Sequence, residues 1–246
     1  MTRAVEYDRV AASCDERYRR SPLTGVEQAL RGLMERRSAR RVLDVGCGTG
    51  YLTARVGDGR AALWGVDASQ GMLRQALRRG GGPTWLQGQA KALPVASGAV
   101  DLLCCVNALH HFADRPAFLR EAWRVLRPGG ALALVLSDPR EAQDCVYTYF
   151  PETWQIDLER LAAVGFVERQ APCVQQIEDD KLGRAIETSY FLNKASCSQL
   201  ILLSEDAYQR GLARIGAALA PGEAQGAPPV FPVRLSLRLV SGRKPA

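Results

Sequence analysis

Short hydrophobic runs alternate along this chain with stretches in which apolar residues return every three or four positions. The runs at residues 42–45, 62–66, 84–87, 100–106, 131–136, 166–174 and 233–240 predict strands, and the stretches 70–77, 116–126 and 153–164 predict helices between them. Such a rhythm predicts βαβ crossovers, and so an α/β fold: a doubly wound, seven-stranded, mostly parallel sheet covered on both faces. The last run, Val233-Arg234-Leu235-Ser236-Leu237-Arg238-Leu239, alternates cleanly, which predicts a half-exposed, antiparallel strand near the sheet edge. Asp114 is placed to cap the helix that Pro116 opens, and Arg127-Pro128-Gly129-Gly130 to end it.

Two segments stand outside the rhythm. Residues 1–35 read as a helical prelude containing Tyr7 and Tyr18. Residues 178–222 read as a mostly helical insertion between the last two strands, closed by the Gly/Pro/Ala-rich loop 221–229. The expected organisation is one domain over residues 1–246: an N-terminal cap (1–35), a core (36–177), an insertion or lid (178–228), and the final strand and tail (229–246). Tyr190, Phe191 and Phe231 are the candidate apolar wall of that lid.

The strongest local signal is Asp44-Val45-Gly46-Cys47-Gly48-Thr49-Gly50, where a buried strand breaks into a glycine-dense turn and re-enters a helical pattern at Tyr51. Glycines packed this closely mark backbone that bends sharply and lies against something else. At a strand–turn–helix mouth that neighbour is a nucleotide-like ligand on free backbone N–H groups. Asp67, at the end of the next hydrophobic run, stands where a ribose hydroxyl pair is read. The spacing is Gly-x-Gly-x-Gly, which differs from the dinucleotide fingerprint and disfavours a nicotinamide enzyme.

Composition adjusts this picture only at the margins. With 246 residues, 47% of them hydrophobic, the chain can bury one good-sized core. No apolar run approaches the roughly 18 residues of a membrane helix, and the first eight residues hold no signal-peptide-like segment, so a cytoplasmic protein is expected. The seven cysteines form no Cys-x-x-Cys pair and read as reduced, mostly buried thiols. The net charge of +6 is scattered, nearly all arginine, with clusters such as Arg36-Arg37 and Arg78-Arg79 at helix C-terminal ends. No metal site is visible, since adjacent histidines do not easily chelate one ion.

Beyond the loop, the chain closely resembles the class I S-adenosylmethionine-dependent methyltransferases, within the broad group of ubiquinone/menaquinone-biosynthesis and natural-product enzymes. The motifs that carry the resemblance are residues 42–50, Gly65-Val66-Asp67-Ala68-Ser69 with Met72-Leu73, Ala92-Leu93-Pro94, Asn107-Ala108-Leu109-His110-His111-Phe112, and Leu126-Arg127-Pro128-Gly129-Gly130. The resemblance implies S-adenosyl-L-methionine as cofactor. It implies that Gly46 and Gly48 let the backbone approach the cofactor's amino-acid portion, that Asp44 takes its ammonium, and that Asp67 accepts both ribose hydroxyls. It places Met72 on the adenine and Gln89 and Ala90 at the adenine edge, with Cys47, Ala68 and Asn107 also lining the cofactor site. Two positions depart from the family: Gln89 replaces the usual aspartate, and Cys14 stands where an aromatic is common, so that Tyr18 either covers the cofactor instead or simply packs.

Methyl transfer is an in-line displacement at an activated sulfonium, so the protein must align, exclude water and sometimes remove a proton. His110 and His111, the only histidines, follow the fourth strand, and related enzymes use a histidine of this kind as base. Asp138, after the fifth strand, is the carboxylate that would orient it. The alternative for the histidines is packing beneath the cofactor and capping of a helix. The expected acceptor is a small organic molecule, methylated on oxygen or nitrogen rather than carbon. A nucleic-acid methyltransferase is the alternative that the pI near 9.1 raises; the chain lacks the Asn/Asp-Pro-Pro-aromatic signature for a base amino group. A cofactor-binding protein without catalysis is a third reading.

Overall fold

The computed structural model describes residues 7–12, 14–137, 143–144, 165, 167–189, 192–194, 200, 203–224 and 226–246. They fall into two compact units. One holds the described residues of 6–136, 157–175 and 237–246; the other holds those of 137–156 and 176–236.

The first unit is built on β1 (Arg41–Val45), β2 (Ala62–Asp67), β3 (Thr84–Gln87), β4 (Val100–Val106) and β5 (Leu126–Ser137). All pair in parallel, in the order β3-β2-β1-β4-β5. The order reverses between β1 and β4, and a doubly wound sheet opens its ligand crevice at the strand C-termini there. β1 and β4 are buried on both faces, apolar apart from Arg41, Asp44 and Asp101: Leu43, Leu102 and Leu103 are fully buried, each worth about 1.5–3 kcal/mol relative to exposure. The flanking helices are α3 (Thr24–Arg36), α4 (Tyr51–Val56), α5 (Gln70–Arg78) and α6 (Arg115–Val125). Asp114 caps α6 as predicted, its Oδ1 accepting from Ala117 N at 2.8 Å. Ahead of α3, the prelude forms two short helices, α1 (Tyr7–Val10) and α2 (Glu16–Arg20). Strand β7 (Val167–Gln170) and strand β8 (Cys173–Glu178) both pair with the last strand, β11 (Val233–Arg243).

Three local expectations change. The predicted sixth strand is two, because the chain breaks at Ala171-Pro172 before pairing again. β11 is antiparallel and next to the sheet edge as expected, but it is not half-exposed throughout: it lies between β5 and the two-residue β6 (Gln143–Asp144) and also pairs with β7, and its alternation gives way to a continuous buried run from Leu239. Arg127–Gly130 does not precede β5 but lies within it as a bulge, the register to β4 shifting between Val100 and Leu102. Buried Asp101 anchors that bulge, accepting from Arg127 Nε at 2.6 Å, Arg41 Nη2 at 2.9 Å, and the backbone N–H groups of Arg40 and Arg41 at 2.9 and 2.8 Å. Burial alone would raise its pKa, but the bonds from Arg41 and Arg127 hold it well below the usual carboxylate range.

The second unit carries the long helix α7 (Glu205–Ala224) and a small antiparallel ladder of β9 (Lys181–Leu182) with β10 (Val230–Phe231). Its core is Ile186, Leu192, Leu200, Ile215, Leu219, Phe231 and Val233. The expected loop at Pro221 begins later, since α7 runs through that proline in its last turn, where few backbone bonds depend on it. Phe231 is 1% exposed, inside this core rather than on a wall, while Tyr190 and Phe191 lie outside the described residues.

Candidate active site

β1 delivers Asp44 to the crevice. It is buried between Gly65 of β2 and Cys104 of β4, its register partners. Its Oδ2 accepts the Thr53 hydroxyl at 2.5 Å, while Oδ1 is buried with no partner of hydrogen-bonding geometry. Burial pushes this carboxyl up to about 6; the Thr53 bond and the weak Cys104 thiol donor oppose the rise, and the nearby Asp67 charge adds to it.

The glycine loop then turns back under β2. Gly46 N and Cys47 N both donate to the Val66 carbonyl, at 2.8 and 3.2 Å. At Gly46 a Cβ would stand 2.5 Å from Ala108 Cβ, so that glycine is required by the segment after β4. At Gly48, with φ +56°, a Cβ would meet nothing within 4 Å. The loop is thus left-handed and open at Gly48, the shape of a cradle. Trp85 of β3 supports it from behind, its ring only 2.4–2.5 Å from where side chains on Gly50 or Gly65 would begin.

Asp67 closes the loop from the end of β2. Its Oδ2 accepts from Gly48 N and its Oδ1 from Ser69 N, both at 2.9 Å, so it shapes the cradle and keeps further lone pairs for a ligand. Burial raises its pKa, against the backbone donors of Ser69, Gly48 and Ala68.

The prelude is strapped across these strand ends. Asp8 Oδ1 accepts from Ser69 Oγ and from Gly71 N, both at 2.6 Å. Asp15 accepts the Thr49 hydroxyl at 2.5 Å and pairs with Arg79, whose Nε donates to the Thr49 carbonyl at 2.8 Å. Tyr18 stacks on Tyr51 at 4.2 Å, and its hydroxyl accepts from Arg17 Nη2 at 2.6 Å.

Beyond β4 the chain passes through Asn107, a non-glycine residue at φ +49°, into a single 3₁₀ turn, Leu109–His111. The His110 and His111 rings lie 3.8 Å apart, and Tyr7 meets His111 edge-on at 5.0 Å. His111 Nδ1 is buried with no hydrogen-bond partner. Burial drives both imidazoles down, His111 to about 3, with Arg17 and Arg115 pushing the same way and His111 also acting on His110. Both are therefore neutral at pH 7.

Known proteins resemble the part of the chain that forms this crevice. A family described as a methyltransferase domain matches residues 43–134, the stretch that contains the cradle, Asp67 and the histidine turn. Over that stretch the chain is similar to the class I S-adenosylmethionine-dependent methyltransferases. The chain is 34% identical over 124 residues to a malonyl-[acyl-carrier protein] O-methyltransferase of Pectobacterium atrosepticum, covering 50% of this chain and 48% of that one. It is 30% identical over 149 residues to the 27-O-demethylrifamycin SV methyltransferase of Amycolatopsis mediterranei, covering 58% and 52%. It spans about half the length of these relatives. A methyltransferase structure from Thermotoga maritima shares the fold, with a TM-score of 0.60 at 18% identity over 97% of this chain and 98% of that one. The cofactor of the family is S-adenosylmethionine, and the site fits it on two counts: an orphaned buried carboxylate oxygen suits an ammonium, and Gly48 leaves space beside it.

The structure brings Asp44, Gly46, Cys47, Gly48 and Asp67 together, with Ala68 exposed beside them. Met72 is 2% exposed and leaves no surface for a ligand to cover in this conformation. Gln89 is exposed and Ala90 half-buried, beyond β3. Asp138 lies outside the described residues. The straps from Asp8 and Asp15, the Arg79 clamp and the Trp85 support are absent from the sequence reading. Asp8 and Asp15, seven positions apart in the prelude, were the one available signal, but their partners lie 34 to 64 residues away.

Among the described residues, no helix is long and apolar enough to cross a membrane.

Proposed function

We propose that this protein transfers a methyl group from S-adenosylmethionine to a small organic acceptor, on oxygen or nitrogen rather than carbon. The observation that carries the reading is the joined cradle: open Gly48, orphaned Asp44 Oδ1, and Asp67 bonded to Gly48 N. When bound, the cofactor supplies a methyl on a sulfonium, already activated for in-line displacement. The chain's residues bind, orient and exclude water. Asp44 Oδ1 takes the ammonium, and Asp67 takes the ribose hydroxyls on the lone pairs that Gly48 and Ser69 leave. Tyr18 and the strapped prelude cover the cofactor. His110 and His111 stand on the acceptor side. A group held near pKa 3 is a weak base at pH 7, so the imidazoles serve chiefly as neutral hydrogen-bonding groups beside the acceptor. The relatives named for malonyl-[acyl-carrier protein] and 27-O-demethylrifamycin SV act on oxygen, which supports an oxygen acceptor here.

The test is calorimetric binding of S-adenosylmethionine, followed by a metabolite screen read by mass gain and release of S-adenosylhomocysteine. Wild type binding with loss of binding in Asp67→Ala is the expected result. Unchanged affinity in Asp67→Ala would remove that residue from the site, and no binding in wild type would end the proposal.

A further inference from the structure

We propose that Thr53 is a positioning residue for the methyl donor: by binding one carboxylate oxygen of Asp44 it presents the other, as an anion, to the ammonium of the cofactor. The proposal rests on the methyl-transfer reading above and adds to it a residue that acts through Asp44 rather than on a substrate.

Thr53 breaks the ordinary logic of a helix face. α4 turns Leu52, Thr53 and Val56 inward, and Thr53 is only 3% exposed. Valine would fill the same space without a hydroxyl, and a buried hydroxyl is costly unless it is bonded. Its bond leaves the helix: the hydroxyl donates to Asp44 Oδ2 at 2.5 Å, nine positions back and on β1, with both groups buried. An ionised carboxylate only accepts, so a hydroxyl is the kind of partner it needs. Short O–H···O⁻ contacts of this sort are among the stronger hydrogen bonds.

At Asp44 the bond does two things. The terminal torsion of an aspartate is broad and nearly two-fold, so the carboxylate plane has little preference of its own. Thr53 fixes that plane and decides which oxygen is left over: Oδ1, buried and without a partner. The second effect is on charge. Burial pushes this carboxyl up to about 6, and the Thr53 bond is the largest influence holding it down. The titratable groups around it are Asp67 of β2, Cys47 of the glycine loop, Cys104 and Cys105 of β4, and Tyr18 of α2. Burial raises the thiols and the phenol, which stay neutral at pH 7. Asp67 adds negative charge and so works against ionisation, while the Cys104 thiol is a weak donor. Thr53 is thus the main group that keeps Asp44 an anion near neutral pH.

Calorimetry with S-adenosylhomocysteine from pH 5 to pH 8 tests this on wild type, Thr53→Val and Thr53→Ser, with thermal unfolding to show that each is folded. Loss of a hydrogen bond to a charged group should lift the Asp44 midpoint by about one pH unit. The ratio of variant to wild-type Kd cancels the ligand's own ionisation. For Thr53→Val that ratio should fall about eightfold between pH 5 and pH 8, and what remains at pH 8 measures the lost orientation. Thr53→Ser keeps the hydroxyl and should stay within about twofold of wild type throughout. Carboxyl carbon NMR of the ligand-free protein, labelled at aspartate, should show the same upward shift of Asp44 in Thr53→Val. Thr53→Ala repeats both measurements without a branched side chain, should the valine variant not fold. A ratio equal at every pH, an unmoved Asp44 titration, or a serine variant as weak as the valine one would overturn the proposal and leave the cofactor reading standing. No binding by wild type would overturn that reading and this proposal with it.

Discussion

Cofactor affinity should fall in acid, and Asp44 should be the cause. Its carboxyl is held up at about 6 by burial, so it is half protonated at pH 6 and about nine-tenths protonated at pH 5. A protonated acid offers nothing to an ammonium. Affinity should therefore drop about tenfold between pH 7 and pH 5, steepening to tenfold per unit below pH 5. Above about pH 8 it should fall again as the ligand's own α-amino group, near 7.7–8.0, loses its proton. Titration calorimetry with S-adenosylhomocysteine measures this directly, and two buffers of different ionisation heat at pH 6 should reveal about half a proton released on binding. Asp44→Asn should lose the acid limb and weaken binding at pH 7 by about 1.5–3 kcal/mol, roughly 10- to 150-fold. The same carboxyl has an opposite effect on the free protein. Its folded-state pKa is raised, so its contribution to stability is full below pH 4 and lost as pH rises through 6. That loss is worth about 3 kcal/mol at most, at 1.36 kcal/mol per pKa unit, so Asp44→Asn should unfold at a higher temperature than wild type at pH 7. Affinity that stays flat from pH 5 to 7, or an acid limb that persists in Asp44→Asn, would refute the reasoning and point to Asp67, whose pKa burial also raises.

Three further outcomes follow from the geometry. Gly48→Val should fold but lose cofactor binding, because the branched side chain enters open cradle space at φ +56°, with a backbone cost of about 1–3 kcal/mol visible in denaturant unfolding. Asp15→Ala should weaken cofactor binding by about 1–2 kcal/mol, or 5- to 30-fold, through loss of the Thr49 and Arg79 ties; calorimetry at several salt concentrations separates the ion pair from the hydroxyl bond. Asp101→Asn should lower the melting temperature by about 5–10 °C, from about 2–3 kcal/mol lost at the Arg41–Arg127 clamp, with cofactor affinity unchanged.

What could be read in the sequence had local causes. The strand–glycine–helix unit, Asp67 at the end of β2 and the Asp114 cap follow from steric rules acting within a few residues. The failures have distant causes. Gly46 is fixed by Ala108, 62 positions away in sequence by residue number, and no local rule couples them. The alternation of β11 is genuine, yet pairing with β6 and β7 beside β5 buries the strand from Leu239 onward.

The prelude that ties itself to Ser69, Gly71 and Thr49 also carries Tyr7 and Arg17. One short segment therefore fastens to the glycine loop and to the start of α5 while it also touches the histidine turn through Tyr7, so a change that unties Asp8 or Asp15 should be felt at His111 as well.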